Sequence, residues 1–245
     1  MRTHVIERAD FNHGATRDMA LRMTSGDHVC FFTQDAVPAN CDVIASLVAP
    51  LVADEAVALV SGRQLPKANA RRFEQLVRDF NYPEEFLVRD ASDIARLGVK
   101  AYFASDVCAC YRRETYLACG GFPRTETNED MLMACRFLKA GYKVVYEPRA
   151  CVYHSHNLTP SQQYARNKAV GAFLERNDTE LDCGSEVGEG TRLVKQVSKQ
   201  LLREGRVSEL AAFGMDCAAR LLGNRAGRRA VRSEVASKLK EGAAR

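Results

Sequence analysis

Short apolar runs separated by predicted helices constrain the fold of this chain more than any other feature. The run His28–Thr33 is rich in aromatic residues, and the polar turn after it ends at Pro38. A helix is predicted over Asn40–Val52, and a second apolar run, Ala56–Val60, stops before Gly62. Buried strands have this length and composition, and a strand–helix–strand order is typical of α/β proteins. The sequence therefore predicts helices packed on a mostly parallel sheet, where ligands bind beyond the carboxyl ends of the strands.

The alternation continues through the rest of the chain. Gly141 has the position of a helix C-cap, and Pro148 separates two short apolar runs. Asp178–Gly190 is polar and is predicted to be a loop or linker. The predicted helices are Lys67–Phe80, Glu129–Ala140 and Pro160–Asn177, and the predicted strands are Lys143–Tyr146 and Ala150–Tyr153.

Composition excludes several classes of protein. Apolar residues make up 46% of the 245 residues and charged residues 27%, as in ordinary globular proteins and unlike disordered, collagenous or coiled-coil chains. No apolar run reaches the ~20 residues of a membrane-spanning helix, and Met1–Asp10 lacks the apolar core of a secretory signal. The nine cysteines include no Cys-x-x-Cys pair and lie mostly in apolar runs. A cytoplasmic protein with buried free thiols is therefore expected.

The charge is distributed unevenly along the chain. From Gly190 onward there are 13 Lys/Arg against 5 Asp/Glu, a net charge of +8, whereas residues 1–189 carry a net charge of −4. Three basic amphipathic helices are predicted there, at Arg192–Leu202, Ser208–Leu222 and Ala226–Leu239. Such helices suit an anionic membrane surface or glycolipid, or simply a solvated helix face. Nucleic-acid binding is not expected, because aromatic residues do not alternate with the basic ones.

Two carboxylate positions are candidates for chemistry. Asp35 follows the first predicted strand, where a carboxylate could hold Mg²⁺ or Mn²⁺, although an Asp before Pro38 could also serve the turn alone. Glu129 and Asp130 open a predicted helix, and either could act as a general base. Thr127 and Asp130 also have the spacing of a capping box, which is a structural alternative.

Two histidines follow the last predicted strand. His154 and His156 are two residues apart, so on an extended chain they would share one face. Beside a carboxylate, either ring could ligate a metal ion or bind a phosphate group, and a purely structural role is the alternative.

Seven short motifs follow one another along the chain. They are Phe11–Arg17, Phe32–Pro38, Gly62–Pro66, Phe80–Pro83, Gly120–Phe122, Glu129–Asp130 and Tyr153–Asn157. In this order they resemble the family 2 glycosyltransferases, and within that family they are most similar to the bacterial rhamnosyltransferases of polysaccharide assembly. The similarity extends over about residues 4–230.

The resemblance implies an α/β fold of the GT-A (Rossmann-like) type. Residues 1–177 would form the GT-A domain, 178–190 a linker, and 191–245 a basic helical extension. Family members open with an apolar strand, a helix and a second strand, and Met1–Asp10 supplies none of these. The domain is therefore expected to be truncated at its N-terminus and to lack its first βαβ portion. A catalytically inactive remnant that serves as a scaffold in polysaccharide assembly is the alternative to an enzyme.

The resemblance also implies an activity, namely inverting transfer of a sugar from a nucleotide donor. The expected donor is dTDP-L-rhamnose, the expected acceptor a lipid-linked saccharide of O-antigen or another cell-surface polysaccharide, and the cofactor Mg²⁺ or Mn²⁺. Work on such an acceptor would place the protein at the inner face of the cytoplasmic membrane, with the basic extension as a peripheral contact.

The implied roles fall on residues of the quoted motifs. Asp130 would be the general base with Glu129 beside it, and Asp35 would be the metal ligand. The family's Asp-x-Asp is here Thr33-Gln34-Asp35, with one carboxylate, so metal binding could also rely on His156. The expected donor-binding residues are Arg17, Gln34, Asp35 and His156. The expected acceptor or sugar contacts are Arg63, Gln64, Gly120, Gly121 and Phe122.

Overall fold

Six strands form one sheet with helices packed on both of its faces in the computed structural model, which describes residues 3–182 and 187–243. The strands are β1 (His28–Phe32), β2 (Val37–Pro38), β3 (Val57–Leu65), β4 (Leu87–Arg89), β5 (Cys108–Arg112) and β6 (Lys143–Tyr153). The helices are α1 (His13–Arg22), α2 (Val43–Ala53), α3 (Arg72–Asn81), α4 (Asp93–Leu97), α5 (Arg113–Ala118), α6 (Glu129–Lys139), α7 (Pro160–Arg176), α8 (Asp178–Leu181), α9 (Val187–Arg203) and α10 (Val207–Ala243); a 3-10 helix covers Gly98–Tyr102.

The prediction of a mostly parallel sheet is wrong. The strand order is β1-β5-β3-β6-β2, with β4 also paired to β6, and of the pairings in the described residues only β3–β6 is parallel. The predicted strand–helix–strand unit is nevertheless present, because β1 and β3 both run antiparallel to β5 and hence in the same direction. Strand β5 lies between β1 and β3 in the sheet, and its position there cannot be read from the local sequence.

Two strands are longer than the sequence indicates. Strand β3 continues past Gly62 to Leu65, and β6 is one strand where two were predicted around Pro148. The β3–β6 pairing shifts register between Gly62 and Arg63. A Cβ atom at Gly62 would collide with the carbonyl of Ala150, so glycine permits the close approach of the two strands at this shift.

The side chains of β5 alternate between the two main hydrophobic clusters. Cys108 and Cys110 pack with α2 on one face of the sheet. Ala109 and Tyr111 face the larger cluster, which includes Phe137 from α6. Alternation of this kind is the expected pattern for a strand that is covered on both faces.

The C-terminal region is helical, with fewer and longer helices than predicted. Helix α10 covers both of the last two predicted helices, and it packs closely on α7. A Cβ atom at Gly227 would collide with the carbonyl of Lys168, so small residues allow the two helices to approach. A third cluster, which includes Phe73, Val197 and Phe213, joins α3, α9 and α10.

The predicted linker is partly helical, since residues 178–181 form α8 and residues 187–190 begin α9; residues 183–186 lie outside the described part. The domain boundaries at 177 and 191 remain predictions. Across residues 3–182 and 187–243, no helix is both long enough and apolar enough to cross a membrane.

Candidate active site

A cleft of about 750 Å³ opens where α1, the β1–β2 turn, the start of α6 and the segment after β6 meet. The residues that carry charge or metal-ligating atoms in its lining are His13, Arg17, Asp35, Asp106, Glu126, Glu129, Asp130, His154, His156 and Arg166. Most of the residues that the sequence marked as candidates for chemistry therefore share one cavity.

Asp35, His154 and His156 converge at one end of this cleft. The Asp35 Oδ2 atom lies 3.4 Å from the Nε2 atoms of both histidines, and these two nitrogens are 3.1 Å apart. Strand β2 explains the convergence, because it begins two residues after Asp35 and pairs with the end of β6 that precedes His154. The histidines lie beyond the strand, and the strand-face argument from their spacing does not account for their position.

The three side chains fit a divalent cation. Ligands at right angles about 2.1 Å from such an ion lie about 3 Å apart, close to the spacings observed here. Gln64 orients one ring, since its Oε1 lies 2.9 Å from His154 Nδ1. An amide oxygen only accepts, so Nδ1 carries the proton and the Nε2 lone pair faces Asp35.

The charges at this end also suit metal binding. Burial lowers the pKa of His154 to about 4, and burial lowers the pKa of His156 as well, so both rings are neutral at pH 7. Burial of Asp35 acts to raise the pKa of its carboxyl, but the facing histidines bring it below its ordinary value. One carboxylate and two neutral imidazoles are common ligands of transition-metal ions.

A second cluster of charge occupies the region around the start of α6. Arg17 forms an ion pair with Glu129, and its Nε lies 3.7 Å from Asp106 Oδ2. The Oδ2 atom of Asp130 accepts a hydrogen bond from the backbone N–H of Asp106 at 3.2 Å. Three carboxylates thus surround one arginine, and Arg17 offsets part of their mutual repulsion.

Asp106 is one of the cleft residues that sequence reasoning missed. Its side chain is 2% exposed, and its Oδ1 accepts a hydrogen bond from the Tyr111 hydroxyl at 2.7 Å. Burial, with the Asp130 carboxylate as the second cause, raises the pKa of Asp106 to about 7. Burial also raises the pKa of Asp130. A lone Asp before an apolar run looks like a turn residue, so no local signal marked it.

The capping-box interpretation of Asp130 is wrong. The residue that caps α6 is Asn128, with φ of +59° in the left-handed region, and it makes no side-chain capping bond. The Asp130 carboxylate instead accepts hydrogen bonds from the backbone N–H groups of Asp106 and Met131, the latter at 2.8 Å. Asp130 is half-buried and faces the cleft.

Comparison with known proteins identifies the family. The model described as "Glycosyl transferase family group 2" matches residues 9–182, which is more than half of the chain. The chain belongs to this glycosyltransferase family. Its α/β sheet and helical C-terminal region are those of a GT-A fold.

Two curated glycosyltransferases resemble the chain at the level of sequence. It is 43% identical over 202 residues to the O-antigen chain rhamnosyltransferase WbaN of Salmonella anatum. It is 41% identical over 201 residues to the O-antigen chain rhamnosyltransferase RfbN of Salmonella typhimurium LT2. Each alignment covers 81% of this chain and 64% of the relative. The chain thus spans less than two thirds of the length of these relatives.

Among solved structures, the chain is similar to the mannosyltransferase PcManGT from Pyrobaculum calidifontis, a structure in complex with GDP-Man and Mn²⁺. The identity is 18% and the TM-score 0.46, with 91% of this chain and 57% of the other covered.

The remaining predicted site residues fall into two groups. Gln34 and Arg17 line the cleft. Gln64 lies behind His154, and Arg63 pairs with Glu84 at 2.9 Å. The cleft lining in the described residues does not include Arg63, Gln64, Gly120, Gly121 or Phe122. Their roles at the acceptor or sugar remain predictions.

Proposed function

We propose that this chain is an inverting glycosyltransferase that moves L-rhamnose from dTDP-rhamnose to a lipid-linked saccharide in O-antigen synthesis. The observation that carries the proposal is one cleft that holds both a candidate base, Asp130, and the Asp35–His154–His156 cluster. The identity of the sugar and of the pathway is supported by the names of the two relatives.

Asp130 is the better general base of the two acidic residues. Glu129 is 3% exposed and its carboxylate is engaged by Arg17, whereas the half-buried Asp130 faces the cleft. Each Asp130 oxygen accepts one backbone hydrogen bond and retains a further lone pair. Asp130 would take the proton of the acceptor hydroxyl while that oxygen attacks the anomeric carbon and the bond to the nucleoside diphosphate breaks.

The Asp35–His154–His156 cluster would hold the cation. A bound Mg²⁺ or Mn²⁺ would stabilise the negative charge of the leaving diphosphate. Two imidazole ligands favour a transition-metal ion, and we therefore expect Mn²⁺ to bind more tightly than Mg²⁺. Lys67 adds positive charge nearby, with its Nζ 3.8 Å from Asp35 Oδ2.

The helix α10 would contact the membrane that carries the acceptor. Arg225 and Arg229 are exposed one turn apart, and Leu221 and Leu222 beside them are 52% and 57% exposed. Basic and apolar side chains on one exposed helix can bind anionic lipid, each cation contributing about 1 kcal/mol near the surface. Binding to anionic but not to neutral vesicles is the expected result.

Two assays test the proposal. Titration calorimetry with dTDP, with and without Mn²⁺, measures donor binding. Transfer of rhamnose from dTDP-rhamnose to membranes that carry lipid-linked O-antigen saccharides measures turnover.

Asp130→Asn should abolish transfer and keep donor binding, because the amide cannot take up the proton. Asp35→Asn should remove the Mn²⁺ dependence of donor binding. Asp79→Asn, an exposed carboxylate on α3, is the matched control.

Two results would contradict the proposal. Transfer by Asp130→Asn at the wild-type rate would exclude Asp130 as the base. A folded wild-type chain that neither binds dTDP nor transfers sugar would instead support the scaffold alternative.

A further inference from the structure

A second, smaller cavity adjoins the cleft on the far side of His156. Its volume is about 230 Å³, roughly the liquid volume of eight water molecules. It lies among α3, α7 and α10, and His156 and Arg166 line both cavities. A ligand in the smaller cavity would therefore lie next to the proposed cation site.

The lining of this cavity carries more positive than negative charge. Four arginines face it (Arg71, Arg78, Arg166 and Arg220), against the carboxylates Glu74 and Asp216. Both carboxylates are already engaged. Glu74 accepts a hydrogen bond from Arg78 at 3.0 Å, and Asp216 accepts one from Arg220 at 2.6 Å.

Neither of the other two arginines has a carboxylate partner within the described residues. Arg166 is exposed and forms no ion pair or hydrogen bond there. Arg71 donates from a terminal nitrogen to the Leu158 carbonyl at 2.6 Å, and its Nε is buried without a hydrogen-bond partner. Because the cations of Arg78 and Arg220 lie near Arg166, a bound anion would offset their repulsion, and it would offer the buried Nε an acceptor.

We propose that this cavity is an anion subsite that binds the phosphate or diphosphate group of a substrate, with Arg166 and Arg71 as its principal contacts. Arginine suits this ligand because its planar guanidinium donates two parallel hydrogen bonds to a phosphate. The proposal rests on the glycosyltransferase function above and extends it. Such a reaction involves a nucleoside diphosphate donor, and a lipid-linked acceptor can bring phosphate of its own.

Metal-free inorganic pyrophosphate is the probe that separates this subsite from the cation site. We would titrate it by calorimetry into the full chain in the presence of a chelator. Arg166→Gln should weaken binding at least tenfold, and Arg166→Lys should retain more of the affinity because it keeps the charge. Arg176→Gln is the matched control, since Arg176 is exposed ten residues further along the same helix and should leave binding unchanged.

Asp35→Asn should not weaken metal-free pyrophosphate binding, because the probe does not require the cation and the variant removes a negative charge beside His156. Absence of pyrophosphate binding to the wild type, or equal binding by wild type and Arg166→Gln, would overturn the subsite. If Arg166-dependent binding persists in a chain that transfers no rhamnose, the subsite stands and the proposed function fails. If the chain transfers rhamnose without Arg166-dependent binding, the proposed function stands and the subsite fails.

Competition identifies the source of the phosphate. Prior saturation with dTDP and Mn²⁺ should block pyrophosphate if the donor diphosphate reaches Arg166. If one pyrophosphate per chain still binds with undiminished affinity after this saturation, the subsite would be assigned to the phosphate of the acceptor. Either result supports an anion subsite that depends on Arg166.

Discussion

Replacing Asp106 with Asn should change how stability depends on pH. The carboxyl is buried and its pKa is raised to about 7, by burial first and by the Asp130 carboxylate second. The groups that face it are Asp130, Arg17, and the hydroxyls of Tyr111 and Tyr116. In the unfolded chain the same carboxyl has a pKa near 3.9. The native state therefore binds a proton that the unfolded state releases between about pH 4 and pH 7.

The sign and size of the effect follow from this difference. Because the folded pKa is raised, the contribution to stability is complete below about pH 4 and is lost as the pH rises through 7. Three pKa units at 1.36 kcal/mol each give a loss of about 4 kcal/mol in the free energy of unfolding. Asp106→Asn cannot ionise, and its amide oxygen can still accept the Tyr111 hydrogen bond. The variant should thus match the wild type near pH 4 and exceed it by up to about 4 kcal/mol at pH 8.

Urea unfolding followed by circular dichroism, from pH 4 to pH 8, measures this difference. Asp79→Asn, which removes an exposed carboxylate, should follow the wild-type profile. Parallel profiles for Asp106→Asn and wild type across the whole range would show that Asp106 ionises normally in the fold, and the reasoning would then fail.

Three further predictions concern other parts of the molecule. Gly14→Ala should lower stability by about 1–3 kcal/mol, because its Cβ would collide with a loop carbonyl, whereas Gly214→Ala at an open position in α10 should raise stability by about 0.5–1 kcal/mol. Thermal unfolding distinguishes the two, and equal effects would contradict the packing argument. His156→Ala should weaken Mn²⁺ binding at least tenfold in calorimetry, with His4→Ala as the exposed control; equal affinities would remove His156 from the site. Phe213→Ala should cost about 3–5 kcal/mol in urea unfolding, and a loss below 1 kcal/mol would mean that its cluster contributes little.

The elements that depend on local sequence could be predicted, and those that depend on distant partners could not. The helix at 129–139 ends before Gly141, whose φ is +88°, as the C-cap signal indicated. The direction of β5 could not be predicted, because it depends on pairing with β1 and β3, which are far away in the chain. Strand β3 continued past Gly62 for the same reason, since the residues that extend it pair with β6.

The same distinction applies to the residues of the candidate site. Asp35 and His156 could be found because each follows an apolar run that becomes a strand, and strand ends gather ligands at one edge. Asp106 could not be found, since its burial depends on Tyr111 and on the start of α6 rather than on its own neighbours. Arg166 could not be found either, because it lies in a helix whose sequence looks solvent-exposed.

The two-residue strand β2 has a kinetic consequence. Val37 and Pro38 pair with the last residues of β6, and this short ladder brings Asp35 to the histidines. Opening it would separate the three ligating side chains while the longer pairings of β3 and β6 remain intact. Openings confined to a short ladder occur far more often than global unfolding. An ion held at this site would accordingly exchange with solvent on the timescale of a local fluctuation, and a substitution that stiffens the β1–β2 turn would slow that exchange without changing the ligands.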